Sequence, residues 1–163
     1  MIVGYPDPRL TRKAEPRPVD DGLRAIGNRL LEATRAANAY GLAAVHIGAL
    51  APVVVISANE DPAKRDYLAL YNPQIVSTDG PGIPGPEGSV SMPGVEVEIV
   101  RPYAATIAWD DETGTRQQRR FEGLPARVAQ HEIDQVNGTF FLERLSRLKR
   151  DMVLKKWKKQ GAS

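Results

Sequence analysis

From Leu124 to Asn137 the chain carries apolar side chains around most of a helical circumference, at Leu124, Ala126, Val128, Ala129, Ile133 and Val136. A helix of that kind cannot lie on a surface, so the rest of the chain has to enclose it. Pro125 suits its first turn and Gly138 its stop. The same helix holds "QHEIDQVNG", Gln130 to Gly138. His131 and Gln135 stand four apart on one face, with Glu132 beside them. A buried polar group left without a partner costs about 1–3 kcal/mol. Three such groups in an apolar helix therefore imply a polar constellation at the centre of the fold. With histidine at position 135 the spacing would be His-Glu-x-x-His, two imidazoles on one metal ion with the glutamate as general base. By itself, His-Glu-x-x-Gln fits equally a core histidine hydrogen-bonded to backbone.

The flanking pattern predicts α+β with a mostly antiparallel sheet. Residues 1–19 are rich in Pro and Arg and read as an irregular arm. Asp20 or Asp21 caps a helix with Leu23, Ile26, Leu30 and Ala37 on one face, closed near Gly41. "APVVVISA" (51–58) is a continuous β-branched run, as a well-buried strand requires, and "YLALYNPQIV" is a second extended run. "TDGPGIPGPEG" (78–88) has four glycines and three prolines, which argue against both helix and ordinary strand. "VEVEIV" alternates at period two, and "YAATIAWDDETGTRQQRRFEG" reads as two strands about a turn. A C-terminal helix is expected at about 146–160, capped by Ser146, with Leu148, Met152 and Trp157 as its packing stripe. No repeat or linker divides the chain, and its 163 residues read as one domain, 1–163.

The chain has no cysteine, which excludes a disulfide framework and any thiolate metal ligand. Its start lacks the charged-then-apolar pattern of a secretory signal, and no apolar run is long enough to span a bilayer. A cytoplasmic location with no membrane partner is expected. Net charge is +2, but the tail concentrates Arg147, Lys149, Arg150, Lys155, Lys156, Lys158 and Lys159 against Asp151. That is either the solvated face of an amphipathic helix or a dock for a polyanion such as ribosomal RNA. Stacking aromatics are too sparse for sequence-specific nucleic-acid reading.

Three stretches, "GLAAVHIG" (41–48), "EGSVSMPG" (87–94) and "QHEIDQVNG", stand in the order and spacing of the three motifs of peptide deformylases. "YPDPRL", "YNPQIV" and the C-terminal "FLERLSRLKRDMVLKKWKK" also match, so the chain resembles that family over essentially its whole length. The resemblance implies a peptide-deformylase-like fold, with antiparallel sheets packed around the central His-Glu helix and helices at both ends. It implies removal of N-terminal formyl groups from nascent peptides, and a divalent ion, Fe²⁺ with Zn²⁺ or Ni²⁺ as substitutes. A formylated or other peptide is the implied partner, against Gly41, Leu42, Ala43, Glu87 and Gly88, and the C-terminal helix is an implied ribosome contact.

Carried over position by position, His131 falls at the first histidine ligand and Glu132 at the proton-transfer glutamate. Ser89 falls where the cysteine ligand belongs and Gln135 where the second histidine belongs. His46 occupies the place of the glutamine that polarises the formyl oxygen, Val45 that of a usual proline, and Val90 keeps the backbone N–H. Glu87 and Arg101 match a supporting ion pair. A metal readily deprotonates a thiol with pKa about 8.5, whereas a serine hydroxyl keeps its proton and ligates weakly. An amide oxygen is a poor substitute for imidazole on Zn²⁺ or Fe²⁺. The expectation is therefore no metal or a weakly bound one, with deformylation lost or much reduced and peptide binding retained. An alternative keeps an active metallohydrolase rewired through His46 and His131. Two further readings are serine chemistry at Ser89 and a non-catalytic interaction module.

Overall fold

A computed structural model describes residues 1–161. Helix α1 (Asp21–Ala36) precedes five strands, β1 (Gly41–Ala43), β2 (Val53–Ser57), β3 (Tyr67–Glu87), β4 (Val97–Asp110) and β5 (Arg116–Glu122), and then helices α2 (Gly123–Val136) and α3 (Arg147–Lys159). The strands are antiparallel neighbours in sequence order, β1-β2-β3-β4-β5. This α+β architecture matches the expected class. The single strand β3 joins what the resemblance describes as separate sheets, pairing with β2 over Tyr67–Tyr71 and with β4 from Tyr71 to Glu87.

β2 shows why its sequence is apolar without alternation. Val54 and Ile56 join a cluster with Ala126, Ala129 and Ile133 of α2, while Val53 and Val55 join Leu23 and Leu30 of α1. Successive side chains of a strand point to opposite faces, so a strand covered on both must be apolar throughout.

The glycine–proline run is strand after all. Pro84 pairs in register with Val100 and Pro86 with Glu98, with register breaks between Asp79 and Gly82 and at two earlier points. Beyond Tyr71 the strand has left β2 and forms an edge, where a proline sacrifices no ladder donor, and the bulges absorb the misfits.

Asp20 caps α1, its carboxylate accepting the Leu23 N–H at 2.8 Å. The buried stripe is Leu23, Gly27, Leu30 and Thr34 rather than one ending at Ala37, which lies beyond the helix. Gly41 does not close α1 but opens β1. Ser146 caps α3 as expected, accepting the Lys149 N–H at 3.2 Å. Of the expected α3 stripe only Trp157 is buried, edge-on to Tyr5 at 5.4 Å; Leu148 and Met152 are 72% and 63% exposed. Trp157 lies on the helical side that meets the N-terminal arm, and the positions of Leu148 and Met152 turn away from it.

The arm itself is tied down where it passes the motifs. Tyr5 N–H donates to Ser91 O, Val3 N–H to His46 O and Ala14 N–H to Val136 O, all at 2.7–2.8 Å. Among the described residues no helix is long and apolar enough to cross a membrane.

Candidate functional site

Helix α2 crosses the sheet beside β1 and the end of β3, and a cavity of about 410 Å³ opens between them. Gly41, Leu42, His46, Glu87, Gly88, Ser89, Val90, His131 and Glu132 all line it. The structure thus brings nearly every sequence-expected position into one place. Gly41 is what permits β1 to lie so close to α2: a Cβ there would stand 2.6 Å from Val128 Cγ1 and 3.2 Å from Glu132 Cγ. Ala43, fully buried, contributes its backbone N–H, which donates to His46 Nδ1 at 3.0 Å.

Three positions depart from the expected arrangement: Ala43 is fully buried and does not line the cavity, and Gln135 and Glu87 are engaged elsewhere. Gln135 is buried but does not line the cavity; its amide donates to the Leu10 carbonyl at 2.6 Å. Glu87 borders the cavity, yet its carboxylate is committed elsewhere. Arg101 donates to both oxygens at 2.6 and 2.9 Å, Arg127 Nη1 to Oε2 at 2.6 Å, and His131 Nδ1 meets Oε1 at 2.8 Å. Arg101 also reaches Asp134 at 2.9 Å, and Arg144 grips the far side of Asp134 at 2.6 and 2.9 Å. The result is a chain of charges, Arg144–Asp134–Arg101–Glu87–Arg127, buried from Asp134 to Glu87 and with His131 attached. Charges this far from water survive only when each is paired and hydrogen-bonded. Through Oε1, Glu87 fixes the orientation of the His131 ring.

Burial alone would raise the Glu87 carboxyl, but the hydrogen bonds from His131 and Arg101 and the Arg101 charge hold it down at about 2. Burial drives Glu132 up to about 7, against the pull of His131. Burial would lower His131, but the carboxylates of Glu132 and Glu87 win and its pKa is raised. His46 is lowered to about 3 by burial and by its neighbour His131. His46 is therefore neutral, and because Nδ1 accepts from Ala43 its proton sits on Nε2, a buried donor without a partner among the described residues. Ser89 Oγ accepts the Ser91 N–H at 3.1 Å. Among the described residues no three His, Cys, Asp or Glu side chains are arranged to hold a metal ion.

Arg127, Asp134, Arg144 and Tyr40 were not singled out from the sequence, though a signal existed for two of them. Arg127 precedes His131 by four residues and so shares its face, and Asp134 is a charge in a helix that must be enclosed. Tyr40 lines the cavity directly before Gly41, whereas Arg144 comes from a separate segment and only the tertiary fold brings it to Asp134.

An antiparallel α+β frame carrying a helix-borne His-Glu pair at the wall of a cleft defines the class of this protein as that of a hydrolase scaffold. The family model for polypeptide deformylase matches residues 1–151, and the chain belongs to the peptide deformylase family. A peptide deformylase-like protein of Brucella melitensis biotype 1 is 42% identical over 160 residues, 98% of this chain and 96% of the relative. Rhizobium meliloti has both a peptide deformylase-like protein, 40% identical over 97% of this chain and 91% of its own length, and a peptide deformylase, 34% identical with the same coverage. The crystal structure of peptide deformylase from Ehrlichia chaffeensis in complex with actinonin superposes with a TM-score of 0.88. It is 34% identical, covering 99% of this chain and 97% of that one.

Proposed function

We propose that this chain is a peptide-deformylase-like protein in which metal-dependent removal of formyl groups is lost or much reduced, and whose cleft still receives the N-terminal end of a peptide. The observation that carries this reading is the donor set at the family's ligand positions. His131 is a strong nitrogen donor. Ser89 offers a neutral hydroxyl engaged with a backbone N–H, and Gln135 is turned to Leu10. Structural zinc sites with full ligand sets reach an apparent ~10–16 kcal/mol, and one imidazole with a hydroxyl does not approach that. These residues do not fit the family's divalent ion.

The geometry of His46 works against a rewired centre. Ligation through Nε2 would move the ring proton to Nδ1, where it would face the Ala43 N–H, donor against donor. The contacts do not favour serine chemistry: among the described residues Ser89 Oγ accepts the Ser91 N–H and neither histidine hydrogen-bonds to Ser89 or Ser91. Coexistence of two kinds of relative in Rhizobium meliloti supports a role apart from routine deformylation. The exposed basic residues of α3 support a contact with a polyanion such as ribosomal RNA, in a cytoplasmic protein.

The test is metal analysis of protein purified without chelator, followed by assay of a formyl-Met peptide with added Fe²⁺, Ni²⁺ or Zn²⁺. Substoichiometric metal and no turnover are expected. Stoichiometric metal, or turnover abolished by Glu132→Gln, overturns the reading. Ser89→Cys combined with Gln135→His is expected to restore metal binding.

A further inference from the structure

The charge chain does not balance. Glu87 and Asp134 carry two negative charges, and Arg101, Arg127 and Arg144 carry three positive ones. Arg101 stands between both carboxylates and Arg144 ends the chain near the surface, its side chain 49% exposed. Arg127 ends it at the cavity, with a side chain 13% exposed. The surplus charge is shared between the exposed Arg144 end and the Arg127 end, which lies at the cavity together with the Glu132 carboxyl.

Arg127 is also built into place. Nη1 donates to Glu87 Oε2 and to Ile99 O at 2.6 and 2.9 Å, and Nη2 to Ile83 O at 2.5 Å. Gly85 supplies the seat. A Cβ there would stand 2.9 Å from the guanidinium carbon and 3.0 Å from both Nε and Nη2. Near-equal distances to the three atoms put Gly85 against the face of the guanidinium. Nε has no hydrogen-bond partner among the described residues, and Nη2, with one hydrogen on Ile83 O, keeps a second; Nε and Nη2 together form one edge of the guanidinium. That edge is the one with which arginine grips a carboxylate through two parallel hydrogen bonds. The same cavity is lined by the apolar side chains of Tyr40, Leu42, Leu124 and Val128.

Building on the peptide-binding reading above, we infer that Arg127 selects a peptide whose first residue is acidic, a short aliphatic stem packing on the apolar wall and a carboxylate meeting that guanidinium edge. Glutamate has that length and charge. A wholly apolar first side chain would leave Arg127 sharing the Glu87 carboxylate with Arg101 in a partly desolvated site, where electrostatic effects are stronger than in water.

The experiment is calorimetric titration of the full-length protein with formyl-Glu-Ala-Ser, formyl-Gln-Ala-Ser and formyl-Met-Ala-Ser. The expected result is binding of the glutamate peptide about tenfold or more tighter than either of the others. Arg127→Met should remove the preference and Arg127→Lys retain part of it. The three-way comparison on the unmodified protein decides the matter even if the variants fold poorly. Equal or tighter binding of the methionine or glutamine peptide overturns the acidic preference while leaving the peptide-binding reading in place. Failure of all three peptides to bind overturns the peptide-binding reading, and this inference with it.

Discussion

The side-chain amide of Gln135 donates to the carbonyl of Leu10 at 2.6 Å, joining the central helix to the N-terminal arm. A position expected from the resemblance to be a metal ligand here serves as a tie between segments 125 residues apart in sequence. Gln135→Ala leaves that carbonyl buried and unpaired. It should destabilise the protein by about 1–3 kcal/mol, read as a lowered midpoint in urea unfolding. An unchanged midpoint would show that the tie contributes nothing.

Asp134 should be among the most sensitive positions in the chain. Asp134→Ala takes the carboxylate from Arg144 and one of two from buried Arg101, and breaking a buried ion pair on one side costs about 3–5 kcal/mol. Replacing exposed Asp21, paired only with Arg24, should change stability by less than about 1 kcal/mol. Thermal unfolding of the two variants side by side checks the contrast.

The Glu87 carboxyl has a pKa of about 2 when folded against an ordinary 4.5. A carboxyl lowered by folding contributes stability above its unfolded value, and that contribution disappears as pH falls from 4.5 towards 2. The gap in melting temperature between the unmodified protein and Glu87→Gln should therefore be widest above pH 4.5 and narrow through that window. A gap independent of pH would refute the assignment.

On α3, Trp157→Ala should cost about 3–5 kcal/mol, because the ring packs beneath the arm against Tyr5. Leu148→Ser and Met152→Ser should each stay within about 0.5 kcal/mol, being exposed. Equal effects for all three in denaturant unfolding would mean that the helix buries its other side.

Gly41→Ala places a methyl group where Val128 and Glu132 already stand. It should push β1 away from α2 and destabilise by about 1–3 kcal/mol, the usual size of an overpacking penalty. Loss of peptide binding that exceeds the loss of stability would show the displacement reaching the cleft wall.

The sequence by itself determined the frame. An all-round apolar helix had to be central, a β-branched run had to be a strand covered on both faces, and three spaced motifs placed their residues around one cleft. Those features are local, because they depend on period and residue type. Tertiary structure decided what each polar side chain does. "TDGPGIPGPEG" became strand because β4 pairs it along an unshared edge. Gln135 turned from the cavity because Leu10 presents a carbonyl, and His46 lost a free nitrogen because Ala43 presents an N–H. Arg127 became the charged end of the cleft because Gly85 left room for its guanidinium. Each of these outcomes is a hydrogen bond or close contact between distant segments, and sequence spacing carries no record of which partner will arrive.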